Sequence, residues 1–343
     1  MRNLRFLLIV GAIILWAPAR QATAQPGPAG SAVRAAGRPE LWMGPPASDN
    51  GRCFRELFEK PDGWLQTRAV VDVLMYADHN LKRHFTDDEL RTWFAQLRQW
   101  NIKFAMEVGA VKPWGATGEK CFGIERPNWE RVQRLGGKIY AVAMDEPLCC
   151  TRLALHLPDD YAVRETANFV ALVRRHFPDV LIGEIEAYPA IPLADHFQWI
   201  EALQKRLAEL QVRGLDFYRL DVDWVHFIVH DRGSWPEVRK LEHYCRQRKL
   251  PFSLVYWAAD YGALTRMGLA DDATWYISLM QHGYDYALVH GSPDQYVVQS
   301  WVGAPSRSTP ETEQFTFTRS VLDFSRRFLG PRKTAATELL PKK

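Results

Sequence analysis

The 343-residue chain carries almost no surplus of charge, with 43 Lys and Arg against 40 Asp and Glu. Arg2, Arg5 and Arg20 lie in the first 24 residues, where there is no acid, so the rest of the chain is formally neutral. A neutral chain lacks a general electrostatic means of collecting on nucleic acid or anionic lipid. We therefore expect no nucleic-acid partner, and no apolar run after the N-terminus is long enough for stable membrane insertion.

Cysteine is scarce and forms no recognisable motif. The five thiols are Cys53, Cys121, Cys149, Cys150 and Cys245. None forms a CxxC pair or has the cysteine-to-histidine spacing of a zinc site. The odd number leaves at least one thiol unpaired within the chain, while a bridge from Cys121 to Cys149 or Cys150 stays open. The sequence predicts neither a metal nor another cofactor.

The N-terminal residues have the pattern of an export signal. A cationic start is followed by an apolar run over residues 6–17 and by small residues at 22–24. Because this run is shorter than the ~20 residues that span a bilayer, we predict a signal peptide over residues 1–24. The protein is then periplasmic or secreted, with an uncleaved anchor as the alternative. Residues 25–40 and 331–343 are predicted as a flexible linker and a flexible tail.

Eight apolar, strand-like runs alternate with amphipathic helical stretches between these ends, at 41–44, 70–77, 102–108, 139–144, 180–185, 215–222, 252–258 and 296–301. From the second onward they begin 32 to 44 residues apart, a spacing typical of βα units. We predict an α/β fold in which residues 41–330 form a single (β/α)8 TIM barrel. The alternative, an open doubly wound sheet, lacks support because no GxGxxG motif or P-loop follows any run.

Acidic residues collect where these runs end, which is where barrels of this kind place their active sites. The period of two along a strand puts Glu184 with Glu186, and Arg219 with Asp221, on the side of the mouth. Carboxylates held close together raise one another's pKa values or pair with a cation. The predicted rim comprises Glu107, Asp145, Glu146, Glu184, Glu186, Arg219, Asp221, Asp223 and Asp260.

Aromatic residues lie at or just beyond the same strand ends. A flat ring with a polar edge suits the apolar face of a pyranose sugar. A carbohydrate is therefore the predicted partner. The residues assigned to substrate binding are Tyr188, Trp224, Trp257 and Trp301, together with Glu107, Asp145, Glu184, Glu186, Arg219 and Asp260.

Two short motifs resemble those of the retaining glycoside hydrolases built on a (β/α)8 barrel. In that family a Glu that usually follows Asn closes the fourth strand as acid/base, and Glu146 after Asp145 is similar to it. Trp301 resembles the Trp that closes the family's eighth strand. The family's nucleophile, a Glu ending the seventh strand, has no counterpart in residues 255–260. The resemblance spans residues 41–330 in architecture and implies hydrolysis of a poly- or oligosaccharide.

The expected activity is therefore cleavage of glycosidic bonds by carboxylate acid/base catalysis, with Glu146 as general acid. Asp221 or Asp223 is the favoured second carboxylate, because Arg219 beside them would keep one ionised. Glu184, Glu186 and Asp260 are open alternatives for that role.

Two other functions stay open at this point. A barrel that binds a glycan or a protein without cleaving it would account for the missing acid on the seventh strand. A divalent-metal enzyme acting on a sugar would use oxygen ligands, with Glu107, Glu146, Glu184 and Asp221 around the ion.

Overall fold

A computed structural model describes residues 38–329 of the chain. Eight parallel strands are hydrogen-bonded in sequence order, and the eighth pairs with the first to close the barrel. This is the (β/α)8 fold that the spacing of the apolar runs predicts. The strands are β1 (Glu40–Gly44), β2 (Val73–Ala77), β3 (Lys103–Val108), β4 (Ile139–Asp145), β5 (Leu181–Tyr188), β6 (Phe217–Val222), β7 (Phe252–Tyr256) and β8 (Gln295–Gln299).

Helices follow each strand and cover the outside of the barrel, and several connections carry an additional short helix. A 3-10 helix spans Pro61–Trp64. The α-helices are α1 (Arg52–Glu59), α2 (Leu65–Val70), α3 (Asp78–His84), α4 (Asp87–Gln99), α5 (Gly118–Arg134), α6 (Pro147–Leu153), α7 (Asp159–His176), α8 (Leu193–Glu209), α9 (Val225–Val229), α10 (Trp235–Gln247), α11 (Tyr261–Arg266), α12 (Asp272–Leu288) and α13 (Phe317–Phe328).

Alternation along the strands divides the apolar residues between two cores. One set packs against the helices, and the other fills the inside of the barrel. The inner set uses small residues on β3 and β4 and one large aromatic pair, Trp42 with Phe217, whose ring centroids are 5.7 Å apart. Its members are Trp42, Val73, Met75, Ala105, Ala141, Ala143, Ile185, Phe217, Val255 and Val297. The floor of the barrel is therefore packed, and only its mouth is open for chemistry.

The start of the barrel differs from the predicted boundary at residue 41. Arg38, which was assigned to the linker, donates from Nη2 to the Asp72 carboxylate and to the Val70 carbonyl oxygen, both at 2.8 Å. Glu40 already belongs to β1. The second apolar run also divides, because residues up to Val70 complete α2 and the strand begins only at Val73.

The predicted signal peptide and tail, and the linker up to residue 37, lie outside residues 38–329. Within the described range, none of the helices has the length and apolar character needed to span a bilayer.

Candidate active site

A cavity of about 380 Å³ opens at the carboxyl ends of the strands. We call it the central cavity. Its walls come from β3, β4, β5, β6, β7 and β8 and from the loops that follow them. It is lined by Glu107, Asp145, Glu146, Ile185, Ala187, Tyr188, Pro189, Ala190, Asp221, Asp223, His226, Val255, Trp257, Gln299 and Trp301.

Five of the acids predicted at the rim line this one cavity. Glu107 comes from β3, Asp145 and Glu146 from the end of β4, and Asp221 and Asp223 from the end of β6. Like charges at close range disfavour simultaneous ionisation. Neighbouring carboxylates accordingly add to the effect of burial in raising the pKa values of Glu107, Glu146 and Asp221.

Glu107 is held in position by a side-chain amide from the last residue of β8. Gln299 Nε2 donates to its carboxylate at 2.8 Å. Burial, and after it the charge of Asp145, raises the pKa of Glu107 to about 7. This carboxyl is therefore close to half protonated at neutral pH.

Asp145 is the acid of the cavity that has a direct cationic partner. Lys112, from the loop after β3, forms an ion pair with its carboxylate. The lysine side chain is largely buried, with 15% of its surface exposed. A charge-assisted contact of this kind holds the Asp145 carboxylate and the Lys112 ammonium together.

Glu146 lies at a sharp change of backbone direction between β4 and α6. Its φ of 48° and ψ of 52° are left-handed, a conformation that costs a residue with a Cβ about 1–3 kcal/mol. Its N–H donates to the Ile185 carbonyl oxygen at 2.9 Å, and Pro147 then begins the helix. Burial and the charge of Asp145 raise the pKa of Glu146, while Lys112 opposes the rise.

Asp221 reaches the cavity from the inner face of β6. Its Oδ1 is enclosed and forms no hydrogen bond. Burial raises the pKa of Asp221 well above its ordinary value, and the charges of Glu146 and Glu107 add to this. An unpaired, enclosed carboxyl oxygen of this kind is favoured in the protonated state.

Arg219 does not have the role predicted for it. Its guanidinium is fully buried below the cavity, where Nε donates to Ser253 Oγ at 2.8 Å and the group lies 4.4 Å from the Trp42 ring centre. It forms no ion pair with Asp221 or Asp223 and does not line the cavity. Residues two apart on a strand share a face but are separated by one layer of the barrel, so the arginine belongs to the packed floor.

Asp223 lies just beyond β6 and is paired with a histidine instead. His226 Nε2 is 3.3 Å from its carboxylate, one helical turn further along the chain. Burial raises the pKa of Asp223, and the charge of His226 opposes that rise. The pair forms one edge of the central cavity.

Two indoles form an aromatic part of the cavity wall. The ring centroids of Trp257 and Trp301 are 4.3 Å apart at an angle of 44°. Trp257 is oriented by its Nε1, which donates to the Val222 carbonyl oxygen at 3.1 Å.

Tyr188 ends β5 at the edge of the cavity, but its side chain shares the outward face of Glu184 and Glu186, is buried in the core between strands and helices, and donates its hydroxyl to Glu237. The predicted contact of the Tyr188 ring with substrate is therefore wrong, and the two indoles provide the flat apolar surface beside the carboxylates.

Glu184 and Glu186 face away from the cavity, so the predicted orientation of β5 is wrong. Trp199 of α8 donates its indole N–H to Glu184, which is fully buried between strand and helix. Glu186 accepts from the N–H groups of Leu148 and Cys149 at 2.6 and 3.1 Å. Both carboxyls therefore serve the contact between the barrel and its helices.

Two further predicted rim residues also lie outside the central cavity. Asp260 accepts from Ser278 Oγ at 2.5 Å and precedes α11. Trp224 is buried among core residues, and its Nε1 forms no hydrogen bond. Neither residue is part of the cavity lining.

The set of four oxygen ligands proposed for a metal ion does not come together, because Glu184 points to the helices. In residues 38–329, three or more His, Cys, Asp or Glu side chains are nowhere grouped as they would be around a metal ion. The bridge from Cys121 to Cys149 or Cys150 is not formed, since all five thiols are free.

Sequence reasoning missed two polar residues that line the central cavity, Gln299 and His226, and also Lys112, which pairs with Asp145 of that cavity. Lys112 lies in a loop nine residues after the start of β3, where no strand period assigns it a direction. Gln299 is the last residue of β8, and the rule that strand ends face the mouth would have included it.

Comparisons with known proteins do not indicate a family or an activity for the chain. No protein-family model and no curated protein matches the chain. A xylose isomerase domain containing protein from Salmonella typhimurium is 11% identical, with a TM-score of 0.46, over 84% of this chain and 95% of that one. A glucosidase from Croceicoccus marinus is 12% identical, with a TM-score of 0.44, over 77% of this chain and 62% of that one. An aldolase from Escherichia coli is 7% identical, with a TM-score of 0.42, over 85% and 89%.

Proposed function

We propose that the protein is a glycoside hydrolase that cleaves a poly- or oligosaccharide in the central cavity. The observation that carries this proposal is the convergence of five carboxylates from three strands on one cavity with a tryptophan wall. Hydrolysis of an acetal needs a proton for the leaving oxygen and a negative charge for the oxocarbenium-like carbon. Carboxyl groups with unequal proton affinities supply both.

Asp221 is the proton donor in this proposal, and Glu146 is the ionised partner. The charges that act most strongly on Asp221 are all negative, and its Oδ1 has no hydrogen bond to stabilise an anion. The Lys112 ammonium opposes the rise that burial and Asp145 cause in the pKa of Glu146, whereas no cation opposes the rise in the pKa of Asp221. This reverses the assignment that the resemblance implied, in which Glu146 carried the proton.

The aromatic wall supports a sugar as the substrate. Trp257 and Trp301 present apolar ring faces within the same cavity as the acids, and the Asp223–His226 pair offers polar groups in that cavity. A pyranose has one apolar face and a periphery of hydroxyl groups, so it matches both surfaces at once.

The test is turnover of a panel of polysaccharides by the wild type, Glu146→Gln and Asp221→Asn, measured as new reducing ends. Each substitution is expected to lower kcat by about 10²–10⁴-fold, the usual worth of a positioned acid or base. Aryl glycosides with good leaving groups should restore much of the rate of Asp221→Asn but not that of Glu146→Gln, because only the former lacks the proton donor.

Glu209→Gln is the matched control, since it removes an exposed carboxylate at the end of α8 that pairs only with Arg206. Its turnover should equal that of the wild type. Undiminished turnover in both Glu146→Gln and Asp221→Asn would refute the proposed catalytic pair.

A barrel that binds a glycan without cleaving it is the second candidate. It is favoured by the seventh strand, because β7 and the residue after it contribute Val255 and Trp257 to the cavity and no carboxylate. Tight oligosaccharide binding with no new reducing ends in the wild type would support this function over hydrolysis.

We also propose that the protein acts outside the cytoplasm, in the periplasm or after secretion. The support is the cationic and apolar pattern of residues 1–24. Fractionation of expressing cells followed by N-terminal sequencing should recover a mature chain that begins at Gln25. A chain that keeps Met1 in the cytoplasmic fraction would contradict it.

A further inference from the structure

A second cavity, of about 530 Å³, lies beside the central one on the side of β2 and β3. We call it the side cavity. The two share Glu107 and Asp145, so they are continuous across these acids. The side cavity is lined by Ala77, Asp78, His79, Lys82, Arg83, Glu107, Val108, Gly109, Lys112, Trp114, Ile124, Glu125 and Asp145.

The outer edge of the side cavity is cationic. Lys82 and Arg83 are exposed residues of α3, and both line it. Among the described residues, neither forms an ion pair or a hydrogen bond, whereas most arginines of the barrel are paired with an acid. Two cations in a concave surface without an acceptor leave their donors available to a ligand.

The acids of the side cavity do not neutralise these cations. Asp78 accepts from Asn128 Nδ2 at 2.7 Å, and Glu125 accepts from the Gly109 N–H at 2.6 Å, so both are bound within the protein. Burial raises the pKa of Glu125 well above its ordinary value. Lys82 is near enough to Asp78 to lower the pKa of that acid. Of the other two acids of the side cavity, Glu107 accepts from Gln299 and Asp145 is paired with Lys112, so neither forms an ion pair with Arg83.

An aromatic platform completes the side cavity. Trp114 lines it with half of its surface exposed, and Ile124 is an exposed apolar neighbour. Exposed indoles in a polar cleft offer a stacking face for a sugar ring. A ring over Trp114 would lie in the same cleft as the guanidinium of Arg83 and the ammonium of Lys82.

We propose that the side cavity is a binding subsite for a sugar unit that carries an anionic group, a carboxylate or a sulfate, held by Arg83 and Lys82. This inference depends on the proposed function and names the class of its substrate, an acidic polysaccharide. Arginine recognises planar or multidentate oxyanions through parallel N–H donors, and carboxylate and sulfate both fit that geometry. The neutral neighbouring unit of the same chain lies over Glu107 and reaches the acids of the central cavity.

The test uses oligosaccharides of several backbones, each prepared in its charged form and with the charge removed. Uronate oligomers are compared with their methyl esters, and sulfated oligomers with their desulfated forms. Binding is measured by calorimetry on the wild type and on Arg83→Gln and Lys82→Gln. At least one charged member should bind about tenfold more tightly than its neutral form, and Arg83→Gln should remove that difference, as expected for loss of one charge-assisted contact.

Lys205→Gln is the matched control, because it removes an exposed cation of α8 that lines neither cavity. It should leave the preference for the charged form intact. Raising the salt concentration should weaken the binding of the charged ligand but not the binding of the neutral one. If the uronate series shows the Arg83-dependent preference for the charged form, the anion is a carboxylate. If the sulfated series shows it, the anion is a sulfate.

The two proposals fail in different ways. Binding of charged and neutral forms with equal affinity, or a charge preference that survives both Arg83→Gln and Lys82→Gln, would overturn the subsite and leave hydrolysis standing. An Arg83-dependent preference for the charged form without new reducing ends would support the subsite and remove the hydrolase. No measurable binding of any charged member would overturn the subsite.

Discussion

The carboxyl groups at the mouth of the barrel differ in pKa, and Glu107 suits an experiment because its pKa of about 7 lies in an easily studied range. Its ordinary pKa of 4.5 rises to about 7 in the folded protein. The folded state therefore binds this proton more tightly than the unfolded chain does. Protonation of Glu107 adds stability below pH 4.5, and that contribution is lost as the pH rises through about 7.

Glu107→Gln should therefore change the pH dependence of folding. Glutamine keeps an uncharged oxygen for Gln299 and cannot ionise, so the variant avoids the loss between pH 4.5 and about 7. We expect its free energy of unfolding, relative to the wild type, to improve by at most about 3 kcal/mol between pH 4 and pH 8. Urea unfolding at both pH values measures this, and parallel curves for the two proteins would contradict the assignment.

The residues of the rim also show what a sequence reveals at this scale. Glu107, Asp145, Glu146, Asp221 and Asp223 were placed correctly at the mouth because each lies at the end of an apolar run. Their partners were not predicted. Lys112 and His226 approach from loops, where no period assigns a direction to a side chain.

At the scale of elements, β5 shows why a strand can be predicted and still be assigned the wrong face. The alternation of side chains along a strand puts Glu184 and Glu186 on the same face of β5. It does not say whether that face or the other one points into the barrel. A Cβ at Gly183 would lie only 2.0 Å from the Phe217 ring, so the glycine is required where β5 and β6 meet inside the barrel. Gly183, Ile185 and Ala187 therefore form the inner set, and the glycine was the available signal.

Helix α6 depends on this outward orientation of β5. Glu186 accepts from the N–H groups of Leu148 and Cys149 in the first turn, immediately after Glu146. Without an acceptor, those buried donors lose their hydrogen bonds, at a cost of about 1–3 kcal/mol each. The Glu186 carboxyl of β5 thereby fixes the start of α6, the helix that begins directly after Glu146.

Glu186→Ala should lower the free energy of unfolding by about 2–5 kcal/mol, because it leaves two donors unpaired and opens a small cavity. Glu186→Gln should cost less. Burial raises the pKa of Glu186 to about 8, so an uncharged acceptor resembles its state at neutral pH. Chemical denaturation of both variants, with Glu209→Ala as the surface control, measures the difference. Equal losses for Ala and Gln would argue against this capping role.

At the scale of the whole molecule, the regular spacing of apolar runs was sufficient to predict a closed barrel. Eight alternating units with right-handed crossovers have few other solutions. The order β1 to β8 and the pairing of β1 with β8 follow from it. The side cavity was not predictable in this way, since Lys82 and Arg83 lie on a short helix whose sequence is that of an ordinary solvated surface.

The barrel is closed without any covalent cross-link among its cysteines. All five thiols are free, and four of them are buried. Thiol titration in denaturant should therefore give five reactive groups per chain, and the urea midpoint should be the same with and without reductant. A count of three together with a reductant-sensitive midpoint would reveal the Cys121 bridge that this structure lacks.

Glu107 lines the central cavity, the side cavity and a third cavity of about 350 Å³ beside β1 and β8. An extended molecule that reaches from one of these spaces into another therefore passes close to the Glu107 carboxyl. Because the pKa of Glu107 is about 7, this group is mostly uncharged in mildly acidic surroundings and mostly ionised in alkaline ones. An anionic polymer in the groove would then be repelled by Glu107 only in alkaline surroundings. The affinity of the protein for an acidic polysaccharide would then depend on the pH of the surroundings as well as on the sugar.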